Sequence, residues 1–486
     1  MGSEVREVLE ALIKKVENSE VFNGCKPDKD LDDEDVEEII FLEDVPETNL
    51  AELTAGRSSF DDLPEELALK IFSFLTFREL CKHVAPVCRQ WLCYSKCPLL
   101  RQSLSLLETY SWITSLEELS EIIRSNFPLL KHLYLQPRTE LTLHGCVILA
   151  QSCPLLQSLS LSFCGQVTKD TLDQFATFCP YLRDINLEGC AVTDKCLECL
   201  ECLPLKRLNT SHCTQLTDYG LKFLSTRCHQ LCSLNFDGIQ WITHDAIAVL
   251  VKNCQDRLEH LWLDAESMTD DTVQLITKCR RLKFFGLSFC ESLTDQSLLY
   301  VQNMVNLVSL RLKKGSEFSG EALKELFVQL HPERTGNPTG LLHITVAECT
   351  NLNDAALHAL AESCRYLESL DISWCWEVND SGLDHVVKNC HRMVDMNICG
   401  AKDLRGNPLK KIPQDMPMLR QLDATQCNLV PDEMLEELVF LMPWLTVTNY
   451  YGEDVKPPKH KNRMQYFPAQ EGWCQFALQT NDVRDT

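Results

Sequence analysis

The sequence has no long apolar run and comparatively little positive charge. No stretch of its 486 residues approaches the ~18 consecutive apolar residues of a membrane-spanning helix. The first residues, MGSEVREVLEALIKK, lack the basic region and uninterrupted apolar stretch of a secretory signal. A net charge of −24 argues against broad binding to nucleic acid or anionic lipid. We therefore expect a cytoplasmic or nuclear protein with no membrane span and no nucleic-acid partner.

Patterns typical of catalysis are also missing. The sequence shows no Ser-His-Asp arrangement, no phosphate-binding loop and no pair of carboxylates in a defined pocket. Its 26 cysteines belong to a chain that we expect in a reducing compartment, where disulfides are rare. We therefore predict mostly free thiols, no catalytic residue and no cofactor.

Negative charge is concentrated near the N-terminus. Residues 1–59 hold 17 acidic and 6 basic side chains, and Asp28 to Glu38 alone contributes eight carboxylates. Such a run repels itself and is typical of a solvated tether. Apolar residues recur at helical spacing over 3–18, which predicts an amphipathic helix before the tether. We assign this helix and tether to residues 1–57.

From Leu130 onward the chain repeats a unit of about 25 residues. The consensus is Leu-x-x-Leu-x-Leu-x-x-Cys, then an apolar residue, Thr-Asp and a closing Cys. The Leu-x-Leu part predicts a short strand with inward leucines, and the later part predicts a helix on the outer face. We predict an α/β leucine-rich-repeat solenoid of about 12 turns over 101–445, with a degenerate turn near Leu104, then a cap and flexible tail over 446–486. The units begin at Leu130, Leu156, Leu182, Leu205, Leu231, Leu258, Leu282, Leu307, Leu341, Leu367, Met393 and Leu419.

Cysteines return in register at two places in the unit. We expect both places to face inward, where a small apolar side chain suits the space between stacked turns. Disulfides between turns are an alternative, since equivalent positions lie ~4.8 Å apart, and so is a metal at Cys196, Cys199 and Cys202. Thiolates at i, i+3 and i+6 are rotated by about 60° per step, so packing is favoured and no metal is predicted. The turn after the strand holds Cys164, Cys190, Cys213, Cys290, Cys349, Cys375 and Cys427, and the helix closes at Cys153, Cys179, Cys228, Cys254, Cys279, Cys364 and Cys390.

Residues 60–97 do not follow the repeat and predict three short helices. Pro64 can start the first helix, and Thr76 with Glu79 fits a capping box for the second. Val87, Cys88, Trp91 and Leu92 mark the third. Three helices of this size cannot bury all of their apolar surface, so we expect a partner to cover part of it.

This segment resembles an F-box, and together with the cysteine-containing repeats the chain resembles F-box and leucine-rich-repeat proteins from about residue 58 to 445. It departs from the family pattern in having Glu79 where Asp is frequent, and Leu99 and Leu100 where a Trp often stands. The motifs that carry the resemblance are the Leu-Pro opening at Leu63 and Pro64, IFSFL at 71–75, Leu80, and Val-Cys-Arg-x-Trp at Val87, Cys88, Arg89 and Trp91.

The resemblance implies a small all-α F-box domain at 58–100 and a role as the substrate receptor of an SCF-type ubiquitin ligase. The F-box would bind a Skp-family adaptor and through it the cullin-RING core, while the repeats would bind an unknown protein to be ubiquitylated. The chain itself would catalyse no bond chemistry and act by proximity. The adaptor-binding residues implied are Leu63, Pro64, Ile71, Phe72, Leu75, Leu80, Val87, Cys88, Arg89 and Trp91.

The strands also indicate a substrate surface. The residue between the two inward leucines should point to the concave side, and this position holds Trp262 and Arg311. Phe284 lies on the same side, and Trp374 and Trp376 lie just beyond a strand. Aromatic residues and arginine are frequent interface anchors, so these five are our candidates, although Phe284 and Trp376 packing on neighbouring turns is an equally good interpretation.

Three alternatives remain open on sequence alone. The chain could be a non-catalytic scaffold that is not coupled to ubiquitin transfer, and residues 60–97 could be an ordinary helical cap on the solenoid. A metal or redox enzyme would rest on the segment CLECLECL alone. We further expect the repeats to fold without residues 60–97, because a solenoid is stabilised by its stacked turns.

Overall fold

The fold is described from a computed structural model. The structure describes residues 64–106, 115–135, 137, 139, 141–164 and 167–457. The predicted N-terminal helix, the acidic tether, Leu63 and nearly all of the predicted tail lie outside these residues. None of the helices in the described ranges has the length and apolar character needed to cross a membrane. The chain divides after Leu258 into two compact units, here the first and second units.

The first unit opens with three helices, α1 (Glu65–Phe72), α2 (Phe77–Glu79, extended by a π-helical turn over Leu80–Val84) and α3 (Arg89–Ser95). Pro64 is the N-cap of α1, as predicted. The predicted capping box of α2 is confirmed: the Glu79 amide donates to Thr76 Oγ1 at 3.2 Å, and the Thr76 amide donates to Glu79 Oε2 at 2.7 Å. Cys88 precedes α3 as its N-cap, so the third helix begins later than Val87.

The remainder of the first unit alternates strands and helices. Consecutive strands pair in parallel, with the inward residues in register from Leu104 to Leu234. The degenerate repeat predicted near Leu104 therefore contributes a strand to the ladder. The strands are β1 (Ser103–Ser105), β2 (His132–Tyr134), β3 (Ser158–Ser160), β4 (Asp184–Asn186), β5 (Arg207–Asn209) and β6 (Ser233–Phe236), and the helices are α4 (Leu116–Asn126), α5 (Leu143–Ser152), α6 (Lys169–Phe178), α7 (Asp194–Leu197, then a 3-10 turn Glu198–Cys202), α8 (Asp218–Arg227) and α9 (His244–Cys254).

The second unit continues the alternation, and its strands also pair in parallel in chain order. A strand at Thr446–Thr448 extends the ladder beyond the predicted end at 445, where Val447 alone provides the inward apolar residue. The strands are β7 (His260–Asp264), β8 (Phe284–Ser288), β9 (Ser309–Leu312), β10 (His343–Thr345), β11 (Ser369–Asp371), β12 (Asp395–Asn397), β13 (Gln421–Asp423) and β14 (Thr446–Thr448), and the helices are α10 (Asp270–Ile276), α11 (Asp295–Val301), α12 (Gly320–Gln329), α13 (Pro332–Thr335), α14 (Asp354–Ser363), α15 (Asp380–Asn389), α16 (Ile412–Asp415) and α17 (Asp432–Leu441), with 3-10 turns at Cys290–Ser292 and Asn407–Lys411.

The helical bundle and the first repeat are joined by buried contacts. The Phe77 ring packs edge-on against Phe127 with centroids 4.9 Å apart. The buried Arg101 donates from Nε to the Ser95 carbonyl at 2.9 Å and from Nη1 to Asn126 Oδ1 at 3.2 Å. Removing residues 60–97 would expose Phe127 and take away the Ser95 carbonyl. These contacts join the segment to the first repeat, and folding of the repeats without it stays a prediction.

The cysteines of the unit face inward, as predicted, and all fourteen at the two repeated places are buried. In the first unit the Cys190 thiol donates to the Leu161 carbonyl of the preceding turn at 3.0 Å. In the second unit Cys375 donates to the Val346 carbonyl in the same way at 3.1 Å. Each of these two thiols therefore fills the space between two turns and donates to a carbonyl of the preceding turn.

The Thr-Asp pair of the repeat forms a second link between turns. Thr is the N-cap of the seven consecutive helices from α5 to α11. Where Asp follows it, as at Asp194, Asp218 and Asp270, the carboxylate accepts hydrogen bonds from the Thr of the next turn. Asp270 Oδ2 accepts from Thr294 Oγ1 at 2.7 Å, and its Oδ1 accepts from the Thr294 amide at 3.0 Å and from Ser297 Oγ at 2.5 Å. Burial alone would raise the pKa of Asp270, but these hydrogen bonds outweigh it and hold the pKa below the usual 3.8.

We predict that Asp270→Asn lowers the free energy of unfolding by about 1–2 kcal/mol, because an amide cannot accept all three hydrogen bonds. The lowered pKa means that the carboxylate stabilises the fold above pH 3.8 and that this contribution is lost as the pH falls through the folded-state pKa. Urea unfolding of both proteins at several pH values measures the difference. Asp271→Asn, an exposed change in the same helix turn, is the control. Equal effects of the two substitutions at pH 7 would contradict the prediction.

We also predict that thiol reactivity separates the cysteines by position. Burial raises the pKa of Cys190 to about 11 and that of Cys213 to about 12, so both stay protonated and unreactive at pH 8. Among the cysteines of residues 64–457, iodoacetamide applied to the native protein should label the exposed Cys93 and Cys202 first, as read by peptide mass spectrometry. Two or more disulfides between turns, or one tightly bound zinc or iron per chain, would show that packing is not the role of the inward thiols.

Candidate functional site

The helical bundle presents apolar side chains that its own core does not cover. Leu67 on α1 and Phe74 just after it are each 52% exposed, and Pro64 at the start of the helix is exposed as well. Ile71, between Leu67 and Phe74 in the chain, is half-buried. The positions i, i+4 and i+7 place these side chains along one side of α1. We call Pro64, Leu67, Ile71 and Phe74 the α1 surface.

The predicted adaptor-binding residues separate into two groups. Phe72, Leu80 and Trp91 lie in the interior, where the Phe72 and Trp91 rings meet edge-on with centroids 5.1 Å apart. These three side chains support the surface rather than form it. Leu75, Val87 and Cys88 are half-buried against the same core, Arg89 is exposed on α3, and Leu63 lies outside the described residues.

The sequence prediction of adaptor contacts omitted Leu67 and Phe74. The family motif drew attention to the residues that build the core, whereas exposure is a property of the packed bundle. The helical spacing of Leu67, Ile71 and Phe74 was a usable signal, because one helix cannot direct every apolar side chain to the same small core. Leu99, one of the two leucines at which the chain departs from the family pattern, is 58% exposed.

On six strands, β4 to β6 and β11 to β13, the residue after the inward apolar residue has the same structural role. An Asn or Asp there turns its side chain back to accept the backbone amide two residues later, as Asn209 does from Ser211 at 3.0 Å and Asn397 from Cys399 at 2.9 Å. This Asx turn ends the strand and begins the loop. The same arrangement occurs at Asn186, Asn235, Asp371 and Asp423.

Three adjacent strands of the second unit carry other residues at this position. It holds Trp262 on β7, Gly286 on β8 and Arg311 on β9, and these three residues are in register. These strands have five, five and four residues, whereas the strands from β10 to β14 have three each. Trp262 and Arg311, which the sequence analysis expected to bind substrate, therefore do not take the Asx role at this position.

Trp262 and Phe284 lie together on the side of the sheet that points away from the helices, here the open face. Phe284 stacks on His260 with ring centroids 4.2 Å apart and planes within 9°, and Trp262 lies 6.4 Å from Phe284. Arg311 is anchored by a hydrogen bond from Nη2 to Ser288 Oγ at 3.2 Å. We call His260, Trp262, Phe284 and Arg311 the aromatic–arginine cluster.

Gly286 sets the position of the tryptophan in this cluster. A Cβ atom on Gly286 would lie 2.4 Å from Trp262 Cδ1 and 3.4 Å from Arg311 Cβ, so the indole leans across the glycine toward the arginine. His260 completes the cluster and was missed by the sequence prediction. Strand alternation from Trp262 was the signal that could have identified it, because residues i and i+2 share a face.

Trp374 and Trp376 are not part of this cluster. Trp374 lies in the turn after β11 with φ of 59°, and its ring occupies the space beside Gly400 in the next turn. Trp376 is 46% exposed, and Lys402 Nζ lies 5.3 Å from its ring centroid. Both tryptophans therefore contact a neighbouring turn, as the alternative interpretation proposed for Trp376, and both lie in the loop that follows β11.

The segment CLECLECL has no convergent ligand geometry. The Cys199 thiol donates to the Cys196 carbonyl at 2.9 Å, and the Cys202 thiol donates to the Cys199 carbonyl at 3.2 Å. Each sulfur is thus directed at the backbone of its own helix. In the described part of the chain, no three His, Cys, Asp or Glu side chains come together in a way that could hold a metal ion.

Comparison with solved structures shows the fold. The chain is similar to one in the crystal structure of the Rad7 and Elc1 complex in yeast, with a TM-score of 0.55 and 20% sequence identity over 65% of this chain and 81% of that chain. A chain of the TLR13–ssRNA13 complex matches with 16% identity over 63% of this chain and 50% of the other, at a TM-score of 0.30, which is too low to indicate a shared fold.

Comparison with protein families identifies the parts. A family model described as F-box-like matches residues 60–106, which include the whole helical bundle and β1. A second, described as a leucine-rich repeat, matches residues 363–384, from the end of α14 through β11 into α15. The chain therefore combines an F-box-like domain with leucine-rich repeats, as in F-box and leucine-rich-repeat proteins.

Proposed function

We propose that the protein is the substrate-recognition subunit of an SCF-type ubiquitin ligase. The observation that carries the proposal is an F-box-like domain whose α1 surface is apolar and uncovered, followed by repeats with an aromatic–arginine cluster on their open face. The first feature fits a Skp-family adaptor and the cullin-RING core behind it, and the second fits a protein substrate.

The chain would contribute position rather than bond chemistry in this role. Receptors built from an F-box and leucine-rich repeats are generally non-catalytic, and holding a substrate lysine near a charged conjugating enzyme is a proximity effect. The buried contacts of Arg101 and of Phe77 with Phe127 join the F-box-like domain to the first repeats. The similar yeast chain was crystallised in a complex with a second protein, Elc1, which agrees with a role in protein assembly.

We predict that Leu67→Glu combined with Phe74→Glu weakens adaptor binding by ~2 kcal/mol or more, because both side chains are uncovered and would be buried by the partner. Both positions are half-exposed, so the thermal unfolding temperature should hardly change. Co-purification of a Skp-family adaptor and cullin with each protein, followed by calorimetric titration of the adaptor, measures the effect.

Leu299→Glu is the matched control for this test, since Leu299 is 44% exposed on a repeat helix and should not affect the adaptor. An intact, folded chain that never recruits the adaptor would support the scaffold alternative, in which the repeats bind a partner without ubiquitin transfer. Full recruitment by the double variant would move the adaptor surface away from α1.

We predict that Gly286→Val abolishes substrate capture while the repeats stay folded. A side chain at this position displaces the Trp262 indole without removing it, and valine is well suited to a strand. The triple replacement of Trp262, Phe284 and Arg311 by Ala should cost ~2 kcal/mol or more in affinity. Proximity labelling in cells, comparing intact and variant chains, identifies the proteins whose capture is lost.

A second glycine provides the control for this test. Gly336 has open space around the position of a Cβ atom, and Gly336→Asn, which tolerates its φ of 72°, changes a distant exposed loop. Unchanged capture by a folded Gly286→Val variant, with the triple variant also unaffected, would place the substrate surface elsewhere.

A further inference from the structure

The open face of the second unit changes its chemical character along the strands. The aromatic–arginine cluster occupies β7 to β9, and from β11 to β13 the same face carries three carboxylates, Asp371, Asp395 and Asp423. Two rows of residues line this face, one on either side of the central inward residue of each strand. Arg311 is the one lysine or arginine in these two rows. In register, the first row is His260, Phe284, Ser309, His343, Ser369, Asp395, Gln421 and Thr446, and the second row is Trp262, Gly286, Arg311, Thr345, Asp371, Asn397, Asp423 and Thr448.

The three carboxylates act as one negative region. Asp371 and Asp423 flank Cys399, whose pKa is raised by burial first and then by the negative charge of both aspartates. Burial alone would raise the pKa of Asp423, but hydrogen bonds from Thr425 and Thr448 outweigh it and hold the pKa below its usual value. The Asp423 carboxylate is therefore ionised at neutral pH, and Asp371, Asp395 and Asp423 are all half-exposed on the open face.

We propose that this face binds an extended segment of the substrate protein with two chemically different ends. One end places an aromatic side chain beside Trp262 and Phe284 and a carboxylate on Arg311, and the other end places lysine or arginine against Asp371, Asp395 and Asp423. The inference deepens the proposed function, on which it rests, by specifying the kind of segment that the repeats select.

Strand geometry sets the spacing between the two ends. Neighbouring strands lie ~4.8 Å apart, so Arg311 on β9 and Asp395 on β12, three strands away, are separated by roughly 14 Å. An extended chain advances ~3.3 Å per residue, so this distance corresponds to about four residues. The selected segment should therefore carry its acidic residue and its basic residue about four positions apart. Its aromatic residue should lie on the far side of the acidic one, about six or seven positions from the basic residue, because Phe284 and Trp262 are four and five strands from Asp395.

The same charges disfavour other occupants. A nucleic acid or an anionic membrane surface would place phosphates against Asp371, Asp395 and Asp423 and be repelled by them. An entirely basic segment would lack a partner for Arg311. Only a segment with both characters satisfies the whole face, and electrostatic complementarity of this kind selects the partner and its orientation.

Charge can be removed here without altering the backbone. Asp371 and Asp423 each accept a backbone amide through Oδ1, from Ser373 and Thr425, and Asn397 accepts the equivalent amide between them. The replacements Asp371→Asn, Asp395→Asn and Asp423→Asn therefore preserve the turns while removing three charges. Arg311→Gln removes the charge at the opposite end.

A library of random 12-residue peptides displayed on phage is selected against the intact chain, the triple Asn variant and the Arg311→Gln variant. The intact chain should enrich peptides with an acidic residue and a Lys or Arg about four positions apart, and with an aromatic residue about six or seven positions from that Lys or Arg. The triple Asn variant should lose the preference for basic residues, and Arg311→Gln should lose the preference for acidic ones. A synthetic peptide of the leading sequence should bind the triple Asn variant at least tenfold more weakly than the intact chain.

The combination of Glu317→Gln and Glu433→Gln removes exposed charges away from the two rows and should leave the selection unchanged. Three results would overturn the inference. The intact chain could enrich peptides that lack basic residues, the triple Asn variant could enrich the same peptides as the intact chain, or the intact chain could enrich no peptide. Adaptor co-purification decides the ligase role separately: a chain that recruits the adaptor but shows no such selection loses only this inference.

Discussion

No single repeat of this protein can bury its own leucines, and the rest of the structure follows from that constraint. A strand such as β5, with one central inward leucine, is stable only between neighbours that cover it. Polar groups have to be satisfied between turns as well, because the loops that leave the strands are buried on one side. The Cys190 thiol on the Leu161 carbonyl and Asp270 on Thr294 are the two devices that accomplish this. Both require two fixed positions of successive repeats to meet, which favours a nearly constant repeat length.

The sequence was sufficient for features that recur or follow local rules. The inward strand residues, the inward cysteines and the capping box of Thr76 and Glu79 depend on spacing within a short segment, and spacing can be read directly. The end of the ladder was harder to predict. The strand at Thr446–Thr448 has one apolar residue and no cysteine, yet the preceding strand provides a template with which its backbone pairs.

Features that depend on contacts between distant residues were not predictable in the same way. Phe77 belongs to the F-box-like segment, but its ring lies on Phe127 of the first repeat, and no local pattern joins them. The strand register, which places His260 beside Phe284, was needed to recognise His260 as part of the aromatic–arginine cluster. The importance of Gly286 likewise depends on the direction in which the Trp262 ring turns. Repeats nevertheless provide their own comparison, since a residue that breaks the Asx pattern is conspicuous against its neighbours.

The turn before the cysteine position has a left-handed residue in successive repeats, and in the first unit large residues and glycines alternate there. Phe163 occupies the space over Gly189, and His212 occupies the space over Gly238. Each of these glycines therefore serves the ring of the preceding turn as well as its own backbone. A side chain at Gly189 or Gly238 would displace that ring, so its effect would be transmitted to the turn before it.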